Sequence, residues 1–170
     1  ARRTVGAHGA WTVVANLPYN VAVPIICRIL EQVPSVASLW VMVQLEVAER
    51  ICAEPGGRRI GMPTIRVGWF ASASIAMTVA PEVFTPRPRV RSAVVEMHRR
   101  PPPDSRADPE QVFELAGRAY RQRRKMLRSS IGSIVEPASF ESADIDPTAR
   151  PEQLSVADWG RLAVELDRRT

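Results

Sequence analysis

The chain has 170 residues with 23 basic and 18 acidic side chains, a net charge of +5 and an isoelectric point near 10.2, and at roughly 150 residues per domain its length suits one domain or one plus a small appendage. Apolar residues at 45% and charged residues at 24% are ordinary for globular chains, which excludes wholesale disorder. Arg28, Glu31, Glu46 and Glu49 interrupt the longest apolar runs, and the start ARRTVGAHGA has no apolar signal core, so a cytoplasmic protein with no membrane span is expected.

Cys27 and Cys52 lie 25 positions apart within apolar patterns, with His8 and His98 the sole imidazoles. No disulfide scaffold and no metal site are expected, and both thiols read as buried spectators. Lys125 is the single lysine, and the other basic residues are arginines. The basic excess is compatible with a polyanionic partner, though arginine bias can equally reflect genome composition.

In chain order, Ala10 to Ala15 is a short apolar run that predicts a fully buried strand, ending in the turn NLPYN. Residues Val21 to Val33 place Ile25, Ile26, Ile29 and Leu30 at helical spacing, with Pro24 tolerated in the first turn. A second run, Ser38 to Leu45, passes into the helical pattern EVAERICAE and stops at Pro55-Gly56-Gly57. Buried strands alternating with helices are the pattern of an α/β domain with a parallel sheet.

A helical stretch near Met62 to Phe70 precedes two expected strands, Ser74 to Ala80 and Arg91 to His98, joined by PEVFTPRPR. Two strands without an intervening helix predict an antiparallel edge on the sheet. The prolines of Pro101 to Pro109 predict a linker, so residues 1–100 form the α/β part, 101–109 the linker and 110–170 a small helical domain. Its helices are expected at Glu110 to Ile134 and Val156 to Arg168, the latter capped by Ser155.

Asn16-Leu17-Pro18-Tyr19 stands beyond the carboxyl end of a strand, where open α/β sheets bind ligands. Pro18 keeps Leu17 extended and offers no N–H, so nearby carbonyls and the Asn16 amide oxygen can face a cleft as acceptors. Tyr19 can stack on a planar base held there. Taken alone, these residues more readily describe a turn with a buried tyrosine and a hydrogen-bonded asparagine.

Further motifs decide the matter. N-L-P-Y-N, Gln44-x-Glu46-Val47-Ala48-x-Arg50, Phe84-x-Pro86-x-Pro88-x-Val90-x-Ser92-Ala93-Val94, Arg123-Arg124-Lys125-x-Leu127 and Arg150-Pro151-Glu152-x-Leu154-Ser155 occur in that order. Together they resemble the KsgA/RsmA family of ribosomal RNA adenine N6,N6-dimethyltransferases, with the Erm enzymes as relatives that the last two motifs disfavour. The resemblance implies a partial Rossmann-like class I methyltransferase sheet followed by a small all-helical domain. It further implies dimethylation of adjacent adenosines in 16S ribosomal RNA of a small-subunit precursor, with S-adenosylmethionine as donor and a monomeric enzyme. Two departures stand out: no G-x-G donor-binding loop occurs, and the family's Tyr-Gly is Ile60-Gly61. The chain therefore reads as the C-terminal part of such an enzyme, and the alternative is a noncatalytic rRNA-binding assembly factor without a donor site.

An exocyclic adenine amine is a poor nucleophile because its lone pair is delocalised into the ring. If the Asn16 oxygen and the Leu17 or Pro18 carbonyl each accept one amine hydrogen, the lone pair localises toward the methyl, with no strong general base required. The resemblance makes Asn16, Leu17, Pro18, Tyr19 and Phe84 the catalytic set, with Phe84 packing on the base opposite Tyr19, and assigns Asn16 and Pro18 to the cofactor. Gln44, Glu46 and Arg50 either contact substrate or form the strand-to-helix junction, and the structural reading is preferred. At about 100° per residue, Phe113, Ala116, Tyr120, Leu127, Ile131 and Ile134 form one stripe of the expected long helix, and Arg118, Arg121, Lys125 and Arg128 another. No acid occurs between Leu115 and Val135, so this basic face is expected to contact RNA phosphates. Arg123 and Arg124 flank the apolar stripe and join the RNA-binding set unless they pair across the domain boundary.

Overall fold

The structure is a computed structural model and describes residues 10–168; His8 and the first residues of the chain lie outside it. The first part runs β1 (Trp11–Asn16), α1 (Ala22–Gln32), β2 (Val36–Gln44), α2 (Leu45–Ile51), α3 (Met62–Phe70), β3 (Ala71–Val79) and β4 (Ser92–Arg99). The second contains α4 (Pro109–Arg121), α5 (Leu127–Ser130), α6 (Pro137–Ser142) and α7 (Val156–Asp167). Single 3-10 turns lie at Pro81–Val83 and Pro151–Gln153. No helix among the described residues is long and apolar enough to cross a membrane.

The strands form one mixed sheet in the order β1-β2-β4-β3. β1 and β2 are parallel, pairing Asn16 with Met42, and β4 is antiparallel to both β2 and β3. The antiparallel pair was expected, but β4 lies inside the sheet and only β3 at its edge. The reason is composition: Ala93, Val95 and Met97 make β4's inward row fully buried, while β3 carries exposed Ser72 and Ser74. Leu39, Val41 and Val43 alternate along β2 and pack with Ile26, Cys27 and Leu30 of α1, Ala48 and Ile51 of α2, and Val67 of α3. These helices all join the core on one face. β1 is consequently not the fully buried strand expected, because it is an edge strand whose Val14 is 79% exposed on the opposite face.

Arg99, at the end of β4, fastens α1 to the sheet. Its guanidinium donates to the carbonyls of Val36 (2.8 Å), Leu30 (3.0 Å) and Val33 (3.1 Å), satisfying the acceptors left at a helix C-terminus. Burial lowers its pKa, and the planar fork suits three acceptors better than a lysine would.

Residues 101–108 form neither helix nor strand, and Asp108 caps α4 by accepting from the Glu110 N–H at 3.2 Å. Ser155 caps α7 as expected, accepting from the Asp158 N–H at 3.2 Å. The continuous helix expected from Glu110 to Ile134 is broken. α4 stops at Arg121, and α5 begins where the Leu127 and Arg128 N–H groups donate to the Ala149 and Pro147 carbonyls at 2.8 and 2.9 Å. Tertiary acceptors thus outcompete continuation of a helical pattern. The buried face of α4 is Val112, Leu115, Ala116 and Ala119, with Phe113 and Tyr120 half-buried at its margin and Ile134 exposed.

α3 serves two cores. Its Ile65 and Trp69 belong to the helical core with Leu127, Ile131, Phe140, Trp159 and Leu162, while Val67 belongs to the sheet core. A Cβ added at Gly160 would lie 3.0 Å from the Trp69 ring, and one at Gly68 would lie 2.9 Å from the Val156 side chain, so α3 and α7 approach closely through glycine. Phe70 and Phe113 meet edge-on at 6.1 Å between ring centroids.

Candidate functional site

Leu17 extends the β1–β2 pairing by one step, its N–H donating to the Met42 carbonyl at 3.2 Å while its side chain is buried. Pro18 then turns the chain, and its carbonyl accepts from the Val21 N–H at 3.2 Å to lead into α1. Asn16 is exposed and Tyr19 half-buried. The Tyr19 hydroxyl lies 2.8 Å from Oγ of Ser92, the fully buried first residue of β4. This single hydrogen bond ties the NLPY turn to the far end of the loop that carries Phe84.

That loop follows the 3-10 turn, with the Phe84 N–H donating to the Pro81 carbonyl at 3.2 Å, and its Thr85–Pro86 peptide is cis. Phe84, Pro86 and Pro88 form one wall of a cleft of about 340 Å³, and Asn16, Leu17, Pro18 and Tyr19 form the other. The sequence-predicted residues Asn16, Leu17, Pro18, Tyr19 and Phe84 therefore border one space. Among the described residues, no carboxylate, imidazole or thiol lines it. A second, apolar hollow of about 580 Å³ lies on the sheet face bearing Val14, Trp40 and Met42, and Asn16 lines both. Asn16 thus stands at a junction reached from two directions.

Ser92 was not among the candidate residues. Its only signal was its place in the V-x-S segment, since a buried serine has no pattern that announces a partner 73 positions away. Glu46 and Arg50 form an i,i+4 ion pair at 2.6 Å on α2, and Gln44 is the residue preceding that helix. Cys27 is buried and Cys52 half-buried, both thiols are free, and burial pushes each up to about 11.

The basic residues are distributed differently from a single helical face. Arg118 and Arg121 are on α4, Lys125 is in the turn after it and Arg128 is on α5, all four exposed. Glu114, immediately before the acid-free stretch, pairs with Arg118 one turn on at 2.6 Å. Arg123 donates to the Arg58 carbonyl at 2.6 Å, a contact across the 101–109 segment, and lies 3.7 Å from the Glu152 carboxylate, whereas Arg124 is exposed.

The model of the family described as ribosomal RNA adenine dimethylase matches residues 4–168. This chain belongs to the ribosomal RNA adenine dimethylase family. Among curated relatives, ribosomal RNA small subunit methyltransferase A of Kineococcus radiotolerans is 48% identical over 155 residues, covering 88% of this chain and 52% of that protein. The protein of the same name from Mycolicibacterium paratuberculosis is 45% identical over 169 residues, covering 95% and 53%. The chain spans about half the length of the curated relatives it matches. Among solved structures, a dimethyladenosine transferase from Plasmodium falciparum superposes with a TM-score of 0.83 at 20% identity, covering 99% of this chain and 70% of that one. The 23S rRNA methyltransferase ErmE gives 0.70 at 21%, covering 95% and 67%. Both share the Rossmann-like methyltransferase fold with a helical C-terminal part. The dimethylase family membership agrees with the resemblance carried by the five motifs.

Proposed function

We propose that the protein to which this chain belongs dimethylates the N6 amines of adjacent adenosines in 16S ribosomal RNA, acting in the cytoplasm as a monomer on a small-subunit precursor. The observation that carries this reading is the cleft in which an asparagine amide, a proline-flanked backbone and two aromatic side chains meet, with no carboxylate, imidazole or thiol lining it among the described residues. Such a site suits a substrate that must be stacked and have its hydrogens held rather than be deprotonated. Tyr19 and Phe84, both half-buried, enclose the adenine ring from the two walls. The Asn16 side-chain oxygen accepts one amine hydrogen. The Pro18 carbonyl already serves the Val21 N–H, which makes the Leu17 carbonyl the better second acceptor.

S-adenosylmethionine, when bound, supplies an electrophilic methyl group. Residues of this chain fit one end of that donor, because Asn16 also lines the hollow on the open sheet face, with Pro18 beside it. With both amine hydrogens held by Asn16 and Leu17, the nitrogen lone pair would point out of the ring plane toward the donor's methyl, whose bond to sulfur would break as the bond to nitrogen forms, leaving a neutral thioether. The nitrogen then carries a positive charge, and its proton, now acidic, passes to water without a dedicated base. For the second transfer, one remaining hydrogen is held by one acceptor.

The family membership does not favour the alternative of a noncatalytic assembly factor. The deciding experiment is methyl incorporation into small-subunit rRNA by the intact protein, comparing the parent with Asn16→Ala. Turnover should fall by a factor on the order of 100 or more, as when an active-site hydrogen-bonding group is deleted, while RNA affinity stays nearly unchanged. Retained turnover removes Asn16 from the mechanism, and a parent without methyl transfer removes the enzymatic reading.

A further inference from the structure

Residues 84 to 91 form a strip with two different edges. The even-numbered Phe84, Pro86 and Pro88 line the cleft, whereas the odd-numbered Arg87, Arg89 and Arg91 are exposed. The three arginines are not equivalent. Arg87 is paired with Glu82. Arg91 donates to the Thr78 hydroxyl at 3.2 Å, and no carboxylate pairs with Arg89 or Arg91 among the described residues. This contrasts with much of the surface, where Arg50, Arg59, Arg106, Arg118, Arg161 and Arg168 each face an acid.

We infer that Arg89 and Arg91 form a phosphate rail, which holds the single-stranded RNA flanking the adenosine seated in the cleft. The inference rests on the RNA-modifying reading of that cleft. A base taken out of its stack between Tyr19 and Phe84 leaves its own phosphates outside the cleft, beside the opposite edge of the strip. Val90 alone separates Arg89 from Arg91, so the two long side chains can reach neighbouring phosphates of an extended strand. Pro86 and Pro88 stiffen the approach to Arg89, so less entropy is lost when it is held. Because the contacts go to backbone and not to base edges, the rail positions the strand without reading its sequence. Arg89 and Arg91 are therefore positioning residues.

The test is a salt titration of the intact protein against a small-subunit rRNA hairpin with adjacent loop adenosines. It compares the parent with Arg89→Gln/Arg91→Gln and with Arg89→Lys/Arg91→Lys, and takes Arg106→Gln as a surface control. For single strands each phosphate contact contributes about 0.7 to the slope of log affinity against log salt. The Gln pair should lower the slope by about 1.4 and weaken binding on the order of ten- to thirtyfold at 0.1 M salt. The Lys pair should recover most of both, and Arg106→Gln should match the parent. Circular dichroism establishes that each variant is folded, and Arg89→Gln alone decides if the pair is not. A Gln pair with the parent's slope and affinity, in a preparation that binds and methylates the hairpin, overturns the rail and leaves the proposed activity standing. A parent that neither binds nor methylates the RNA overturns both.

Discussion

The Tyr19 hydroxyl and the Ser92 Oγ are 2.8 Å apart across 73 residues of sequence, and their hydrogen bond joins the two walls of the cleft. Ser92 has no exposed surface, so removing one partner leaves the other's polar group in a dry place. Tyr19→Phe and Ser92→Ala should each cost about 1 kcal/mol of stability. The double variant should cost clearly less than the two combined, because both delete the same bond. Urea denaturation of the four proteins measures this, and additive effects would show that the bond contributes nothing.

Arg99 is a second long-range tether. Arg99→Ala should destabilise the protein by about 1–3 kcal/mol by stranding three carbonyls of the α1–β2 connection. Arg99→Lys should recover less than half of this, since an ammonium cannot reproduce the planar fork. Equal stability of the Lys variant and the parent would show that charge alone matters there.

Two glycines predict opposite signs. A Cβ at Gly117, within α4, meets no heavy atom within 4 Å, so Gly117→Ala should stabilise by about 0.5–1 kcal/mol through helix propensity. A Cβ at Gly132 would lie 2.1 Å from the Arg128 carbonyl oxygen, so Gly132→Ala must move backbone and should cost more than about 2 kcal/mol. Melting temperatures of the two variants should fall on opposite sides of the parent.

Stability should decline at alkaline pH. Burial pushes the Cys27 and Cys52 thiols up to about 11, and burial also pushes Tyr120 up to about 12. The unfolded chain releases these protons first, so above about pH 9 it binds fewer protons than the fold and stability falls with rising pH. The loss from the thiols runs from about pH 9 to 11, with that from Tyr120 following. Urea midpoints between pH 8 and 11 should decline less steeply for Cys27→Ala than for the parent, and parallel curves would exclude Cys27 as a contributor.

The sequence makes some of this architecture plain and hides the rest for physical reasons. α3 matches Met62 to Phe70 because Gly61-Met62-Pro63 starts a helix locally, with Thr64 Oγ1 accepting from the Gly61 N–H. The cap at Ser155 was legible for the same reason. The break after Arg121 was not, because the acceptors at Pro147 and Ala149 that capture the next turn are remote in sequence. The position of β4 inside the sheet likewise depends on which strand buries more apolar surface, a competition that no single strand displays. In the cleft, Asn16 to Tyr19 and Phe84 stood out by motif. The Ser92 tether and the opposed edges of the 84–91 strip emerge only when the two loops are side by side.

α3 presents Trp69 to one core and Val67 to the other, so pulling either layer away strips a side chain from both. The junction is a party wall, not a hinge, whatever freedom the prolines of residues 101–109 would otherwise allow. Separation of the layers should cost nearly as much as melting them, and heating should yield one sharp transition. An RNA that touches both the cleft and the arginines of α4 and α5 therefore meets a calliper of fixed opening, and must bring its own folded helices to the matching distance.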